Sequence, residues 1–254
     1  MDIVYYIPPR TVADGFGFRM SLRSVLRYGK NLGRIIAAGS PADWLCGDVV
    51  KFHTTPIFAK SGVNENILST IIKLIQEGVV QSEFLLVYDD VFLAREVDLN
   101  DFPFYVKGPK IQTVNDLVRY SGGAVITKNK IRMSDTRMLL ERNGYMAVDY
   151  SGRTFVHIDP SDACDVEKMW LQEPHGEWGY DVASLFLNVR GRRDNITISE
   201  TGDVFFDKFK NHALMEEKIG TNVVFSASSQ LIRDSKDFRD ELINLFPRKS
   251  QFEN

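Results

Sequence analysis

Asp89 and Asp90 stand side by side at the end of one apolar run, Glu83-Phe84-Leu85-Leu86-Val87-Tyr88, and before a second, Val91-Phe92-Leu93. Phe, Leu and Val without polar alternation suit a strand buried on both faces, as in the middle of a parallel or mixed sheet. Ligands bind at the carboxyl ends of such strands. Two adjacent carboxylates there repel each other and lose hydration, and a divalent cation relieves both penalties. The chemistry indicated is binding of Mg²⁺ or Mn²⁺ together with a diphosphate. The plainer reading of the same residues is a turn in which one acid caps the chain and the other meets a surface lysine.

The elements that must hold this pair follow from apolar spacing. Residues 3–7 form a short strand closed by Pro8-Pro9, and Gly15-Phe16-Gly17 leads into a helix carrying Phe18, Met20, Leu22, Val25 and Leu26. Residues 34–39 predict a second buried strand and residues 48–52 a third. Residues 64–76 predict a helix with Ile67, Leu68, Ile71, Ile72, Leu74 and Ile75 at helical spacing, Asn64 as its cap and Gly78 as its stop. The acidic pair ends the fourth strand. This alternation predicts an α/β fold with a mixed, mostly parallel central sheet flanked by helices. Further on, residues 131–143 predict a helix ended by Gly144, 154–158 a strand, 182–187 either a strand or a helix, 223–226 a strand, and 235–246 a helix stopped by Pro247.

The totals limit the classes open to the chain. With 254 residues, 44% of them hydrophobic, there is material for a substantial core, and no repeat or low-complexity linker divides it, so one compact domain is expected. Thirty-one Lys and Arg nearly balance 34 Asp and Glu, and a formal charge of −3 supplies no general field toward nucleic acid or anionic membranes. Cys46 and Cys164 lie far apart without metal-ligand spacing, which fits free thiols in a reducing compartment. The start, Met1-Asp2-Ile3-Val4-Tyr5-Tyr6, lacks the basic segment and longer apolar core of a signal peptide, and no run approaches the ~20 apolar residues of a membrane span. A soluble, cytoplasmic protein is the expectation.

Several segments, in order, resemble soluble nucleotide-sugar glycosyltransferases of the GT-A type from bacteria and phages, distantly including Stealth-like polysaccharide enzymes. They are Asp2-Ile3-Val4-Tyr5-Tyr6, Arg19 with Ser21-Leu22-Arg23-Ser24, Gly39 with Pro41, Asp43, Trp44 and Leu45, Asn64, Phe84 to Phe92, Phe155-Val156-His157-Ile158-Asp159-Pro160, Ser184-Leu185-Phe186-Leu187-Asn188, and the tail from Leu245 to Glu253. The resemblance spans most of the chain and is dense only in residues 1–95. It departs from the family at the acidic motif, which reads Tyr88-Asp89-Asp90 rather than Asp-x-Asp. The resemblance implies a single GT-A-like domain, with residues 1–110 as the nucleotide-sugar-binding half and 111–254 as the acceptor-side half with the carboxy-terminal helix. It implies Mn²⁺ or Mg²⁺ as cofactor, a nucleoside-diphosphate sugar as donor, and a glycan or, alternatively, hydroxymethylated DNA as acceptor. Sugar-phosphate transfer and a non-catalytic nucleotide-sugar or glycan-binding module are the other readings.

Candidate residues follow. Asp90 is the first choice of metal ligand, with Asp89 and His157 beside it. Pro8, Arg10, Arg19 and Asp89 are the expected donor-binding residues, guanidinium groups being suited to diphosphates by their paired donors; a solvated helix face is the alternative for Arg19 and Arg23. His157 and Asp159 are the expected catalytic groups, with Asp149 as a further candidate to take the acceptor's proton if the reaction inverts. A lone histidine is more often structural, and His175, in Glu173-Pro174-His175-Gly176, reads as an acceptor loop or an ordinary surface turn. His53 and His212 read as solvent-facing. Basic groups at Lys107 and Lys110, at Lys128, Lys130, Arg132 and Arg137, and at Arg190, Arg192 and Arg193 would be the phosphate track of a DNA acceptor. Asp14-Gly15-Phe16-Gly17 lacks the full dinucleotide fingerprint, and no P-loop, zinc cluster or Ser-His-Asp pattern competes.

Overall fold

The computed structural model describes residues 1–8, 15–56, 63–106, 110–116, 127–150, 154–172, 179–193, 198–200 and 204–253; Arg10, Asp14, Lys107 and His175 lie outside the described residues. In chain order the elements are β1 (Asp2–Ile7), α1 (Phe16–Tyr28), β2 (Gly29–Lys30), β3 (Ile35–Gly39), β4 (Val50–His53), α2 (Val63–Gln76), β5 (Phe84–Val87), β6 (Val91–Leu93), β7 (Val97–Asp98) and β8 (Phe104–Val106). There follow α3 (Lys128–Arg142), β9 (Val156–Ile158), a 3₁₀ turn (Pro160–Asp162), α4 (Ala163–Gln172), α5 (Val182–Arg193), β10 (Ile198–Glu200), β11 (Phe205–Phe206), α6 (His212–Ile219), β12 (Val224–Ala227), α7 (Ser229–Asp234) and α8 (Lys236–Leu245).

The central sheet has the order β4-β3-β1-β5-β9. β1 runs parallel to β3 and β5, β3 runs parallel to β4, and β9 alone is antiparallel, against β5. This is the α/β architecture, mainly parallel and flanked by helices, that the alternation of elements predicts. Every residue of β1 from Ile3 onward is buried, so its side chains feed two cores. Ile3, Tyr5 and Ile7 meet Phe18, Leu22 and Val25 of α1 on one face. Val4 and Tyr6 meet α2 and α5 on the other, through Ile67, Leu68, Ile71, Leu185 and Phe186. Complete burial of each such side chain stabilises by about 1.5–3 kcal/mol. Helices on opposite faces, with β3 on one side of β1 and β5 on the other, place a topological switch between β1 and β5, where the connections leaving their carboxyl ends diverge.

The structure sharpens three local readings. Residues 83–93 form two strands: β5 ends at Val87, the chain turns at Asp89-Asp90, and β6 joins a second sheet of order β11-β12-β6. The acids cannot continue the buried strand uncompensated, so the chain turns where they begin. The helix α2 starts at Val63, which places Asn64 inside its first turn rather than at its cap. Residues 182–187 belong to a helix. A third core, including Phe92, Phe225, Phe238, Leu242 and Phe246, binds β6, β12 and α8 together, with the Phe92 and Phe225 rings stacked at 5.0 Å. Both cysteines are free, and no helix among the described residues is long and apolar enough to cross a membrane.

Candidate active site

The acidic pair is held from every side by backbone. Its β5 stem pairs with β1 up to Tyr5↔Val87, so the turn lies level with the last residues of β1 at the switch point. Val91 N–H donates to the Tyr88 carbonyl at 3.2 Å, and Ala227 N–H donates to the Asp90 carbonyl at 3.1 Å. Two buried serines of α1 secure the strand that follows: Ser21 Oγ donates to the Val91 carbonyl at 2.5 Å, and Leu93 N–H donates to Ser24 Oγ at 2.9 Å. Ser21 and Ser24 thus satisfy backbone groups that the short β6 would leave buried without partners.

The amino-terminal turn of α1 closes the other side. At Gly17 a Cβ would come within 2.9 Å of the Asp89 carbonyl oxygen and 3.6 Å of Ile232. In an exposed helix Gly→Ala gains about 0.5–1 kcal/mol of helix propensity. Here the methyl meets backbone and must displace the acidic turn. Gly17→Ala is therefore expected to lower turnover at this site roughly tenfold while costing only about 1–2 kcal/mol of stability. Unchanged turnover in the variant would show that helix and turn do not share this contact.

Burial and the charge of Asp90 push the Asp89 carboxyl up to about 7, against a backbone hydrogen bond that favours ionisation. An acid raised in this way is stabilising while protonated, and its contribution is lost as pH rises from its unfolded value of 3.8 through about 7. Asp89→Asn is accordingly expected to stabilise the chelator-treated protein at pH 8 by about 1–2 kcal/mol, roughly 2–4 °C in Tm. The gain should vanish below pH 4, and Mn²⁺ should stabilise the variant less than the parent. A Tm at pH 8 no higher than the parent's would remove the strain from Asp89.

These features fit a divalent cation. Among the described residues no group of three or more His, Cys, Asp or Glu side chains converges as a ready-made cage. Two carboxylates with substrate phosphates and water completing the shell is the arrangement Mg²⁺ commonly takes.

Two residues absent from the candidates read off the sequence, Tyr88 and Asp181, share this end of the sheet with Arg132, which the sequence placed in a basic phosphate track. Tyr88 lies within electrostatic reach of Asp90, Asp181 and Arg132; burial first and then the two acids push its phenol up, with Arg132 opposing. It is a hydroxyl donor at neutral pH. Asp181 caps α5: Ser184 N–H donates to Asp181 Oδ1 at 2.9 Å, and Arg132 of α3 approaches Oδ2 at 3.6 Å. The backbone N–H of Asp181 donates to Thr136 Oγ1 at 2.8 Å, which ties α3 to the start of α5. The signal for Asp181 was present, an acid directly before an apolar run at helical spacing, and was hidden by the ambiguity of residues 182–187.

The other candidates land elsewhere. His157 pairs with Leu85 and Asp159 follows Ile158, which pairs with Phe84. Because β9 is antiparallel, these positions lie about 13 and 20 Å back along β5 from the acidic turn, at the opposite edge of the sheet. His157 is buried, with Nδ1 2.6 Å from Glu83 Oε1 and Nε2 2.7 Å from the Phe102 carbonyl, so neither nitrogen is open to a metal. Asp159 is a cap, accepting from the Ser161 N–H at 2.9 Å and its hydroxyl at 2.8 Å. His157 as metal ligand and the two as catalytic groups are corrected on these grounds. Pro8 directly follows β1, half-buried, at the same end of the sheet as the acids. Arg19 stacks 4.1 Å from the Trp44 ring and lies 3.5 Å from Glu253, and Arg23 makes two 2.8 Å hydrogen bonds to the same buried carboxylate. Asp149 follows Val148, whose backbone is bound on both sides by Asn188 of α5. His212 is bound to Glu241 at 2.6 Å.

No family model and no curated protein sequence matches the chain. Solved structures do. The galactosyltransferase LgtC, in complex with donor and acceptor sugar analogs, is 14% identical, with 97% of this chain and 95% of that one covered at a TM-score of 0.47. The apo glycosyltransferase GlyE of Streptococcus pneumoniae TIGR4 is 10% identical, covering 97% of this chain and 60% of that one at 0.44. The apo WbbM bifunctional glycosyltransferase is 8% identical, covering 98% and 50% at 0.48. At such values no residue role passes from them to this chain.

Proposed function

We propose that this chain is a metal-dependent glycosyltransferase that moves a sugar from a nucleoside-diphosphate donor to a hydroxyl of a glycan. The observation that carries the reading is the strained acid pair, Asp89 and Asp90, fixed by backbone contacts at the carboxyl edge of a parallel sheet and at its switch point. Asp90 and Asp89 would hold Mg²⁺ or Mn²⁺ against the two phosphates, where Lewis-acid stabilisation of the leaving diphosphate is worth several kcal/mol. The bond from the sugar's anomeric carbon to the phosphate oxygen breaks, the acceptor oxygen bonds to that carbon, and the nucleoside diphosphate leaves with the bonding electrons while the acceptor's proton is released to solvent. Residues 1–110 would supply the donor side, including Pro8 and the start of α1. The half from residue 111 would supply the acceptor side, where Asp181 and Arg132 lie within electrostatic reach of Tyr88, the residue before the pair.

Four of the nine basic residues that would track DNA are engaged by acidic neighbours. Lys110 is 3.0 Å from Glu141, Arg137 is 2.8 Å from Asp116, Arg190 is 2.6 Å from Glu83, and Arg132 meets Asp181. No observation favours a DNA acceptor over a glycan. The test is hydrolysis of a panel of nucleotide sugars by the purified protein with Mn²⁺, Mg²⁺ or EDTA. Metal-dependent release of nucleoside diphosphate is the expected result. Release of the monophosphate would mean sugar-phosphate transfer, and donor binding with no turnover, even when glycan acceptors are added, would mean a binding module.

A further inference from the structure

The carboxy-terminal tail folds back on α1. Leu45 bridges to Glu253, Cys46 N–H donates to the Phe252 carbonyl at 3.0 Å, and Glu253 is buried against Arg23. Between tail and helix lies a cavity of about 600 Å³ with Arg23, Arg27, Arg248 and Lys249 in its wall, Leu26 and Phe246 beside them, and no acidic side chain among the described residues that line it. The chain as a whole is acidic by three charges, so four cations around one cavity do not follow from general composition. Two of them are held in place: Arg23 Nη1 donates to the Phe246 carbonyl at 3.1 Å, and Arg27 donates to the Leu245 carbonyl. Arg248 and Lys249 are exposed and have no hydrogen-bond or ion-pair partner among the described residues. Glu253, behind Arg23, offsets one charge of the four.

We propose that this cavity is a second ligand site, separate from the acid pair, that takes a phosphate ester. Guanidinium groups fixed by backbone carbonyls present oriented donors without further loss of freedom, which suits bidentate recognition of phosphate. The two unpaired side chains close on the anion, and the apolar wall accommodates the organic part it carries. The volume is in the range of small-molecule sites. Arg27 lies ten residues beyond Gly17 on α1, about 15 Å along the helix from the acidic turn. A phosphorylated small molecule and the headgroup of an anionic lipid offer the same chemistry.

The experiment uses the full chain and the double variant Arg248→Ala/Lys249→Ala, whose exposed positions leave the folded core untouched. Calorimetric titration with inorganic pyrophosphate in EDTA, where the acid pair repels the probe, is expected to show binding that weakens roughly tenfold in the double variant. Binding should also weaken as salt is raised and be unchanged in Asp90→Asn. Flotation with vesicles of phosphatidylglycerol and phosphatidylcholine, against phosphatidylcholine alone, identifies the source. Capture by the anionic vesicles only, lost in the double variant, assigns a lipid headgroup; pyrophosphate binding without capture assigns a soluble phosphate ester. Donor turnover should be the same in parent and double variant, so a failed donor assay and a failed cavity are told apart. No binding of either probe, or equal binding by parent and variant, overturns the proposal.

Discussion

Asp90→Asn is expected to lower metal-dependent release of nucleoside diphosphate from a nucleotide sugar by roughly a hundredfold or more. The substitution keeps the size of the side chain and the carbonyl that receives the Ala227 N–H at 3.1 Å, so the turn itself should survive. What it removes is one of the two negative charges that make the site attractive to a divalent cation. It also relieves the repulsion that, after burial, raises Asp89, so that carboxyl ionises more readily and the pair carries at most a single negative charge at pH 7. The loss should fall on kcat and on metal affinity together, and circular dichroism and Tm should be close to the parent's. Turnover within twofold of the parent, at saturating Mn²⁺, would take the acid pair out of the mechanism.

The second large effect is on stability and lies at the other edge of the sheet. Glu83 accepts from Arg190 through both nitrogens, at 2.6 and 3.1 Å, and lies 2.6 Å from His157 Nδ1. Phe104 stacks on His157 at 4.1 Å, and the Arg190 guanidinium lies 5.1 Å from the Phe104 ring. Burial works against ionisation of Glu83, but the hydrogen bonds from His157 and Arg190 outweigh it and hold the carboxyl down to about 2. An acid depressed in this way stabilises the fold above its unfolded value of 4.5, and that contribution is lost as pH falls from there through about 2. Glu83→Gln leaves the largely buried Arg190 guanidinium without its counter-charge, at a cost of about 2 kcal/mol at pH 7. Urea unfolding at pH 7, 4.5 and 3 should show the gap between parent and variant narrowing as pH falls. A gap that stays constant would mean that the lost contribution is packing rather than charge.

Much of the first half was legible because its signals are local. The apolar spacing in β1, α1, β3, β4, α2 and β5 reports which faces are buried, and the acid pair announces itself against the run before it. The site was legible only as far as that pair. The resemblance put His157 and Asp159, on and just after a short strand, among the site residues, yet the direction in which that strand pairs with β5 decides which edge they reach. No local spacing carries that direction. Arg19, and less readily Arg23, read as a phosphate ligand or as part of a solvated helix face; the residue that claims them, Glu253, is 230 positions away from Arg23.

The sequence by itself determined that strands and helices alternate, that the middle strands are buried on both faces, and that two carboxylates stand where the fourth strand must stop. Those properties depend on the chemistry of neighbours a few residues apart. Only the tertiary structure decided that Gly17 abuts the acidic turn, that Tyr88, Asp181 and Arg132 gather beside it, that His157 serves Glu83 instead, and that the tail leaves a basic cavity against α1. Each of those joins residues distant along the chain, and what brings them together is the packing of three cores and the pairing of strands, where one reversed strand exchanges the two edges of the sheet.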